Sequence, residues 1–236
     1  MRFEALATDY DGTLAADGVV SGAALAALER VRASGRKLVL VTGRELGDLG
    51  KVFGRLDLFD RIVAENGALL HCPATGATRS LAEPPPAAFA AWLERRKVTP
   101  LAVGRVIVAT REPHDRDVRE ALGALGLDLQ IIYNKGAVMV LPPGIDKASG
   151  LAAALKELAI NARNVVAAGD AENDLAFLRA CGRGVAVANA LPVLKEEADW
   201  VTEGARCDGI VELAERLLRT DLADLPTRRR GAAQRS

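Results

Sequence analysis

The chain has 236 residues, half of them hydrophobic, which is enough to bury a core without disulfide bonds and excludes disorder for the bulk of the chain. Lysine plus arginine and aspartate plus glutamate both number 31, so no overall field favours nucleic acid or an anionic membrane as a partner. Three cysteines without a CxxC pair, and no apolar run of about 18 residues, argue against a disulfide framework, a zinc site and a membrane span. We therefore expect a cytoplasmic protein.

Short apolar, partly β-branched runs alternate with Ala- and Leu-rich stretches of helical spacing, which is typical of βαβ units around a parallel sheet. The predicted buried strands are Phe3–Thr8, Lys37–Val41, Arg61–Ala64, Asn164–Ala168 and Gly184–Val187. The predicted helices are Gly22–Ala33, Glu45–Phe53, Asp146–Ala159, Asn173–Ala180, Pro192–Glu197 and Gly209–Leu218. A hairpin of Ala68–His71 and Thr78–Leu81 is expected to join them. The fold class is therefore α/β, with a doubly wound, Rossmann-like parallel sheet.

Two proline-rich segments, Glu83–Pro86 and Leu141–Gly144, interrupt this rhythm. The elements predicted between them are the helices Ala87–Arg96 and Asp115–Leu125 and the strands Arg105–Thr110, Leu129–Tyr133 and Ala137–Leu141. Asn134-Lys135-Gly136 is expected to form a tight turn, since Asn and Gly tolerate positive φ. We predict a core of residues 1–82 and 144–219, a small inserted α+β cap of residues 83–143, and a disordered tail at 220–236, where the hydrophobic pattern fades.

The segment Thr8-Asp9-Tyr10-Asp11-Gly12-Thr13 lies where the first predicted strand ends in a loop. Open α/β sheets bind ligands at the carboxyl ends of their strands, so chemistry is expected here. Two carboxylates at i and i+2 of an extended segment project into one crevice, and they repel each other unless a cation or a basic side chain neutralises them. Asp9 and Asp11 therefore indicate a metal site, with a turn rich in Asp and Gly as the alternative.

Three further segments follow predicted strands or the second proline-rich segment. Thr42-Gly43-Arg44 offers a hydroxyl, an amide and a guanidinium as donors to phosphate oxygens. Asp170 and Asp174 are hard oxygen ligands of the kind that Mg²⁺ selects, with helix capping by Asp170 and Asn173 as the alternative interpretation of this segment. Lys147 opens a predicted helix, and a solvated surface lysine is its alternative. The joint occurrence of these segments in this order favours the functional interpretation of each.

Assembled, these segments resemble the haloacid dehalogenase-like (HAD) phosphohydrolases, and more narrowly the Cof-type members of subfamily IIB, which carry an α+β cap between their second and third motifs. The resemblance extends to about Leu218. The residues that carry it are Asp9-Tyr10-Asp11-Gly12-Thr13, Thr42 in Val-Thr-Gly-Arg, Lys147 and Gly169-Asp170-Ala171-Glu172-Asn173-Asp174. The stretches Ala64–Ala68 and Gly184–Ala190 also look like segments of this family.

The resemblance implies a Mg²⁺-dependent phosphatase that works through an aspartyl-phosphate. Asp9 would attack phosphorus, and Asp11 would protonate the leaving alcohol and then activate water. The implied metal ligands are Asp9, Asp11 through its backbone carbonyl, Asp170 and Asp174. The implied phosphate-binding groups are Thr42, the Gly43 amide, Lys147 and Asn173, the last of which would support the phosphate or the metal shell.

The expected substrate is a small organic phosphate, such as a sugar phosphate or a phosphoglycolate-like acid, and the oligomeric state cannot be read from the sequence. Because the core would hold the phosphate, the cap is expected to bind the rest of the substrate. Lys135 is the candidate, with a solvated hairpin tip as the alternative. Two other functions stay open. One is a phosphotransferase or phosphomutase that uses the same aspartyl-phosphate, and the other is a non-catalytic protein that binds a phosphometabolite.

Overall fold

The computed structural model describes residues 1–225, which form two β-sheets and eight α-helices. The strands are β1 (Ala5–Asp9), β2 (Lys37–Val41), β3 (Arg61–Ala64), β4 (Leu69–His71), β5 (Thr78–Ser80), β6 (Ala102–Val103), β7 (Val108–Arg111), β8 (Gln130–Asn134), β9 (Ala137–Leu141), β10 (Val165–Gly169), β11 (Arg183–Ala186) and β12 (Trp200–Val201). The helices are α1 (Gly22–Ala33), α2 (Leu46–Val52), α3 (Ala87–Arg95), α4 (Asp115–Leu125), α5 (Lys147–Leu158), α6 (Leu175–Ala180), α7 (Pro192–Glu197) and α8 (Cys207–Thr220).

The larger sheet has eight strands in the order β12-β11-β10-β1-β2-β3-β4-β5. The strands from β12 to β3 pair in parallel, and β4 and β5 add an antiparallel hairpin at one edge. The chain winds outward from β1 in one direction through β2 and β3, and from β10 in the other through β11 and β12. The prediction of a doubly wound, Rossmann-like sheet is confirmed, and the point where the winding reverses lies between β1 and β10.

Helices cover both faces of this sheet because its strands are apolar on both sides. On one face α1 and α8 pack through residues such as Leu28 and Leu213. On the other face α5 and α6 pack through residues such as Leu155 and Phe177. Side chains of β2 alternate between the two clusters, with Leu40 on the first face and Val39 on the second. Two hydrophobic layers therefore hold the central strands in place.

The smaller sheet lies within the segment expected to be the cap, in the order β6-β7-β9-β8, with all pairs antiparallel. Helices α3 and α4 cover one face through Phe89, Leu93 and Val118. The other face packs on the larger domain, where Met139 joins Leu69 in a shared hydrophobic cluster. This second cluster places the inner face of the small sheet over the carboxyl ends of the large one.

The structure differs from the sequence-based expectation at several places. The sequence predicts neither β6 nor β12, and the strand expected at Arg105–Thr110 begins at Val108. Positive φ angles occur at Lys135 (46°) and Gly136 (80°), whereas Asn134 still belongs to β8, so the turn has two central residues of type I′ character. The helix expected from Asn173 begins with a 3-10 turn at Glu172–Asp174. A further difference is in the tail.

The tail was expected to lose order from residue 220, and this is wrong for the residues up to 225. Leu222 is fully buried and Leu225 is 7% exposed, both in the cluster under α8. The carboxylate of Asp221 accepts a hydrogen bond of 2.9 Å from Nη2 of Arg36 and another from the Arg2 backbone. Two isolated leucines are too few to give a periodic signal, which is why the sequence pattern missed them. The remainder of the predicted tail lies outside the described residues.

Within residues 1–225, no helix is both long and apolar enough to cross a membrane.

Candidate functional site

The predicted site residues converge at the carboxyl edge of the large sheet. β10, β1 and β2 are parallel neighbours, so the residues at their carboxyl ends meet. Asp9 ends β1, Thr42 follows β2 and Asp170 follows β10. Lys147 is the first residue of α5, and its ammonium reaches Asp9. The order of the strands thus brings together residues that lie far apart in the sequence.

Three carboxylates gather in this crevice. One oxygen each of Asp9, Asp170 and Asp174 lies within 4.8 Å of the others, and all three residues are buried. Such a set of hard oxygen donors is what Mg²⁺ selects, so the residues present fit a magnesium ion. Gly12 has a φ of 84°, and a Cβ at that position would overlap the Asp170 carboxylate. Glycine therefore lets the loop after β1 pass close to Asp170.

Lys147 is the buried cation of the site. Its Nζ lies 2.6 Å from Oδ1 of Asp9 and 2.6 Å from Oδ1 of Asp174, and the residue is only 1% exposed. Burial alone would lower the pKa of Lys147, but the charges of Asp174 and Asp9 and their hydrogen bonds outweigh burial and raise that pKa. The ammonium therefore stays charged. A solvated surface lysine, the alternative interpretation, is excluded by this burial.

At Asp9 and Asp170, in contrast to Lys147, burial outweighs the attraction of the neighbouring opposite charge. Burial raises the pKa of the Asp9 carboxyl to about 8. Lys147 lowers this pKa, whereas Asp174 and Asp170 raise it. Burial is also the main cause of a raised pKa at Asp170. The ammonium of Lys147 thus does not outweigh the effect of burial on the carboxyls of Asp9 and Asp170. A bound dication would lower these pKa values and keep Asp9 ionised.

Asp174 also organises the loop that carries Asp170. Its Oδ2 accepts hydrogen bonds from the backbone N–H groups of Asp170 at 2.8 Å and Ala171 at 3.0 Å, while its Oδ1 accepts from Lys147. The capping role considered for this segment therefore belongs to Asp174. The Asp170 carboxylate has no part in this capping and faces the crevice beside Asp9.

Thr42, Asn66 and Asn173 line the side of the crevice beyond β2. Asn66 donates its backbone N–H to the Thr42 carbonyl at 2.9 Å, and Asn173 donates its Nδ2 to Oδ1 of Asn66 at 2.8 Å. This leaves Nδ2 of Asn66 and Oδ1 of Asn173 buried without a protein partner. Buried amide groups are rarely left unpaired, so the two atoms point to a ligand. The sequence assigned a role to Asn173 but none to Asn66, whose only signal was its place in Ala64–Ala68.

Asp11 and Arg44 form a pair that the sequence did not predict. Nε and Nη2 of Arg44 each donate to one oxygen of the Asp11 carboxylate at 2.7 Å, and the guanidinium lies 5.5 Å from the centre of the Tyr10 ring. Arg44 was expected to donate to phosphate oxygens, but in the structure its partner is Asp11. The Asp11 side chain lies outside the cluster of three carboxylates, and only its backbone was expected to contact the metal. Gly43, next to Arg44, lies under Met139 of the cap.

Lys135 brings the cap into the crevice. From the turn between β8 and β9 its Nζ contacts Oδ2 of Asp170, across the boundary between cap and core. A Cβ on Gly12 would lie 3.2 Å from the same ammonium. The side chain of Lys135 is 41% exposed, so it is accessible from the crevice although it is engaged. The contact excludes the alternative of a free hairpin tip.

Asn189 is a second residue that the sequence left without a role. It donates Nδ2 to the Gly12 carbonyl at 2.8 Å and lies 3.3 Å from Oδ2 of Asp170. It therefore ties the loop after β1 to the loop after β10. Its place in Gly184–Ala190 was the only available signal, because a tie between two loops has no local sequence pattern.

Comparison with known proteins agrees with this geometry. The family model of the haloacid dehalogenase-like hydrolases matches residues 6–104 and 93–213. A phosphoglycolate phosphatase of Methanothermobacter thermautotrophicus is 34% identical over 91% of this chain and 98% of its own length. Another of Methanosarcina acetivorans is 31% identical over 91% of this chain and 96% of its own.

Solved structures share the fold across both domains. A protein of Thermoplasma acidophilum superposes with a TM-score of 0.76 at 19% identity, covering 92% of this chain and 98% of its own. A structure described as a subclass IIB sugar phosphatase superposes with a TM-score of 0.72 at 21% identity, covering 91% and 98%. Matches of this extent include the core and the cap together. The chain belongs to the haloacid dehalogenase-like hydrolases and is a phosphatase.

Proposed function

We propose that this phosphatase hydrolyses a short phosphorylated carboxylic acid of the 2-phosphoglycolate type, with Mg²⁺ and through an aspartyl-phosphate on Asp9. The observation that carries the proposal is the placement of a cap cation, Lys135, directly above the buried group of Asp9, Asp170 and Lys147. The relatives that are named phosphoglycolate phosphatases, and that align over both domains, support the same substrate class.

The core residues divide the chemistry among them. An oxygen of Asp9 attacks phosphorus as the bond from phosphorus to the ester oxygen breaks. Asp11 donates a proton to the leaving ester oxygen. In the second step water attacks the phosphorus of the aspartyl-phosphate, Asp11 accepts its proton, and Asp9 is released as a carboxylate. Asp11 must exchange its contact with Arg44 for one in the crevice to do this. Its side chain is 45% exposed, against 5% for Asp9, so the crevice is accessible to it.

Positive charge and hydrogen-bond donors must surround the phosphoryl oxygens during both steps. Lys147 is the charged donor, because it is buried against Asp9. Thr42, the Gly43 amide and the unpaired Nδ2 of Asn66 line the same side of the crevice, and Asn173 holds Asn66 through its own Nδ2. Asp9, Asp170, Asp174 and the backbone of Asp11 would hold Mg²⁺, which when bound offsets the charge between an anionic nucleophile and an anionic phosphate.

Lys135 is the group that would recognise the leaving alcohol. An ammonium has three N–H donors, so its contact with Asp170 leaves donors for a carboxylate of the substrate. A charged donor of this kind favours an acidic leaving group over a neutral sugar. We therefore assign the phosphate to the core and the carboxylate to Lys135.

A panel of metabolite phosphates tests this function. The wild-type protein, assayed with Mg²⁺, should give its highest kcat/KM for 2-phosphoglycolate among phosphoglycolate, phosphoglycerates and hexose phosphates. Excess EDTA should abolish turnover. A glucose phosphate should be scored for isomerised product as well as free phosphate. Isomerisation faster than hydrolysis would identify a phosphomutase instead, and a preference for hexose phosphates would contradict the substrate class.

Lys135→Met should change specificity. It should lower kcat/KM for 2-phosphoglycolate by about 10- to 100-fold, since a hydrogen bond to a charged group contributes about 1.5–3 kcal/mol. Turnover of p-nitrophenyl phosphate, which has no carboxylate, should fall by less than about threefold by the same reasoning. Arg95→Met, an exposed change in α3, is the control. Equal losses on both substrates would remove Lys135 from carboxylate recognition.

A further inference from the structure

Glu65 is a buried carboxylate that the proposed chemistry does not use. It follows β3 at the boundary between core and cap, is 2% exposed, and has a φ of 51° in the left-handed region. Left-handed backbone is costly for a residue with a side chain unless the surroundings compensate for it. Its contacts explain why this side chain is held there.

The Glu65 carboxylate accepts hydrogen bonds from three consecutive backbone N–H groups of the cap. Oε1 accepts from Arg105 at 3.0 Å, and Oε2 accepts from Val106 at 2.7 Å and from Ile107 at 2.9 Å. These amides belong to the turn between β6 and β7, which is closed by a hydrogen bond of 2.9 Å from Gly104 N–H to the Ile107 carbonyl. The turn thus forms a concave cradle of amides around one core carboxylate.

Gly104 is the residue that lets the turn approach so closely. A Cβ at this position would lie 2.8 Å from Cδ of Glu65 and 2.9 Å from its Oε1. Real side chains do not approach to that distance, so any larger residue would push the turn away from the carboxylate. Glycine at 104 and glutamate at 65 therefore form one matched contact.

The backbone around Glu65 is joined to the loop that follows β2. Glu65 N–H donates to the Arg44 carbonyl at 2.9 Å, and the adjacent Asn66 N–H donates to the Thr42 carbonyl at 2.9 Å. Glu65 therefore bonds the cap through its side chain and the phosphate side of the crevice through its backbone. We therefore expect a displacement of the cap turn to shift Glu65 and, through its backbone, the loop that follows β2.

The turn held by Glu65 and the turn that carries Lys135 lie at opposite ends of the cap sheet. Val108 pairs with Val140 at the end near Glu65, and Arg111 pairs with Ala137 at the end near Lys135. Val108 and Arg111 are three residue steps apart along β7, about 10 Å at 3.3 Å per residue. The Glu65 end is buried and has three hydrogen bonds, whereas the Lys135 end has one partly exposed ion pair.

We propose that Glu65 is a positioning residue that anchors the Val108 end of the cap sheet and thereby places Lys135 over the crevice. This rests on the proposed role of Lys135 in substrate recognition. A carboxylate suits the anchor because it presents acceptors to all three amides, whereas a glutamine would turn its own N–H₂ donors toward at least one of them. Loss of the anchor leaves the cap attached but lets its far end shift, and small misplacements of a binding group are costly.

Hydrogen exchange tests the anchor without reference to activity. In Glu65→Gln, the amides of residues 105–107 should exchange at least about tenfold faster than in the wild type, because their acceptor is weakened or lost. Gly104→Ala should produce the same effect from the other side of the contact. Glu45→Gln is the matched control, since Glu45 and Glu65 both line a cavity of about 520 Å³ between core and cap. Unchanged exchange at 105–107 in both test variants would overturn the proposal.

A double-mutant cycle tests the link to Lys135. It is run on the panel phosphate with the highest kcat/KM, and p-nitrophenyl phosphate serves as the small reference. Glu65→Gln alone should lower kcat/KM for the panel phosphate by about tenfold and for the reference by less than about threefold, as expected for a misplaced recognition group. In the Lys135→Met background it should cost less than about threefold, because residues that act through one another are not additive.

Full additivity, or equal losses on both substrates, would show that Glu65 only stabilises the fold. Thermal unfolding of each variant distinguishes a shifted cap from global destabilisation of the protein. If the wild type does not prefer 2-phosphoglycolate, the proposed substrate fails, while the exchange experiment and the cycle on the preferred phosphate still decide the role of Glu65.

Discussion

Replacing Asp9 by asparagine should reduce phosphatase turnover by more than about 100-fold, since an amide does not form the acyl-phosphate and loss of a covalent nucleophile is among the largest single effects in enzymes. The change is nearly isosteric at a residue that is 4% exposed. It also removes one of the three carboxylates of the buried cluster. Steady-state rates with saturating Mg²⁺ and p-nitrophenyl phosphate measure the loss.

The Asp9→Asn protein should still fold. Lys147 keeps its 2.6 Å contact with Asp174, so the buried ammonium is not left without a partner. Burial raises the pKa of Asp9, which means that the ionised carboxyl is itself costly to bury. Thermal stability without metal should therefore be close to that of the wild type. Asp57→Asn on the exposed surface is the control, and a variant with more than about a hundredth of wild-type activity would exclude Asp9 as the nucleophile.

Lys147→Met should damage both activity and stability. Removing one partner of a buried ion pair typically costs about 3–5 kcal/mol, because the remaining charge is left uncompensated, and Lys147 serves two such partners. Turnover should fall by about 100- to 1,000-fold, as when one hydrogen-bond donor that stabilises transition-state charge is removed. Chemical denaturation without metal measures the first effect and steady-state kinetics the second.

Magnesium should partly restore the stability of Lys147→Met, and more so than it stabilises the wild type. The variant has three buried carboxylates within 4.8 Å without their buried ammonium, and a dication offsets that excess. Lys156→Met, an exposed change in the same helix, should alter neither property. Equal stability of Lys147→Met and Lys156→Met in metal-free buffer would contradict the assignment of Lys147 as the cation of the cluster.

The parts of this fold that the sequence predicted are those with a local physical cause. Lys37–Val41 and Gly22–Ala33 have the predicted bounds, because the first is a continuous apolar run and the second has a serine cap and a helical stripe. Asp9, Thr42 and Asp170 could be placed together because the carboxyl ends of parallel strands share one edge. Their roles in catalysis stay predictions until they are measured.

The parts that the sequence missed depend on contacts between distant residues. Glu65 meets amides about 40 positions away, and Asp11 takes Arg44 as a partner 33 positions away. Neither partner follows from periodicity, since periodicity describes only which face of an element is apolar. The 3-10 turn at Glu172–Asp174 forms because the Asp174 carboxylate binds the amides before it.

The aspartyl-phosphate on Asp9 can be observed most directly in Asp11→Asn with p-nitrophenyl phosphate. The phenolate leaves without a proton, so the first step proceeds, whereas the second step lacks its base and the intermediate accumulates. After acid quenching, borohydride reduces an acyl-phosphate to the alcohol, and peptide mass spectrometry locates the reduced residue. We predict a burst of about one p-nitrophenol per protein, as covalent intermediates give, with homoserine found at position 9. Reduction at another carboxylate, or steady turnover without a burst and with Asp9 unmodified, would contradict the mechanism.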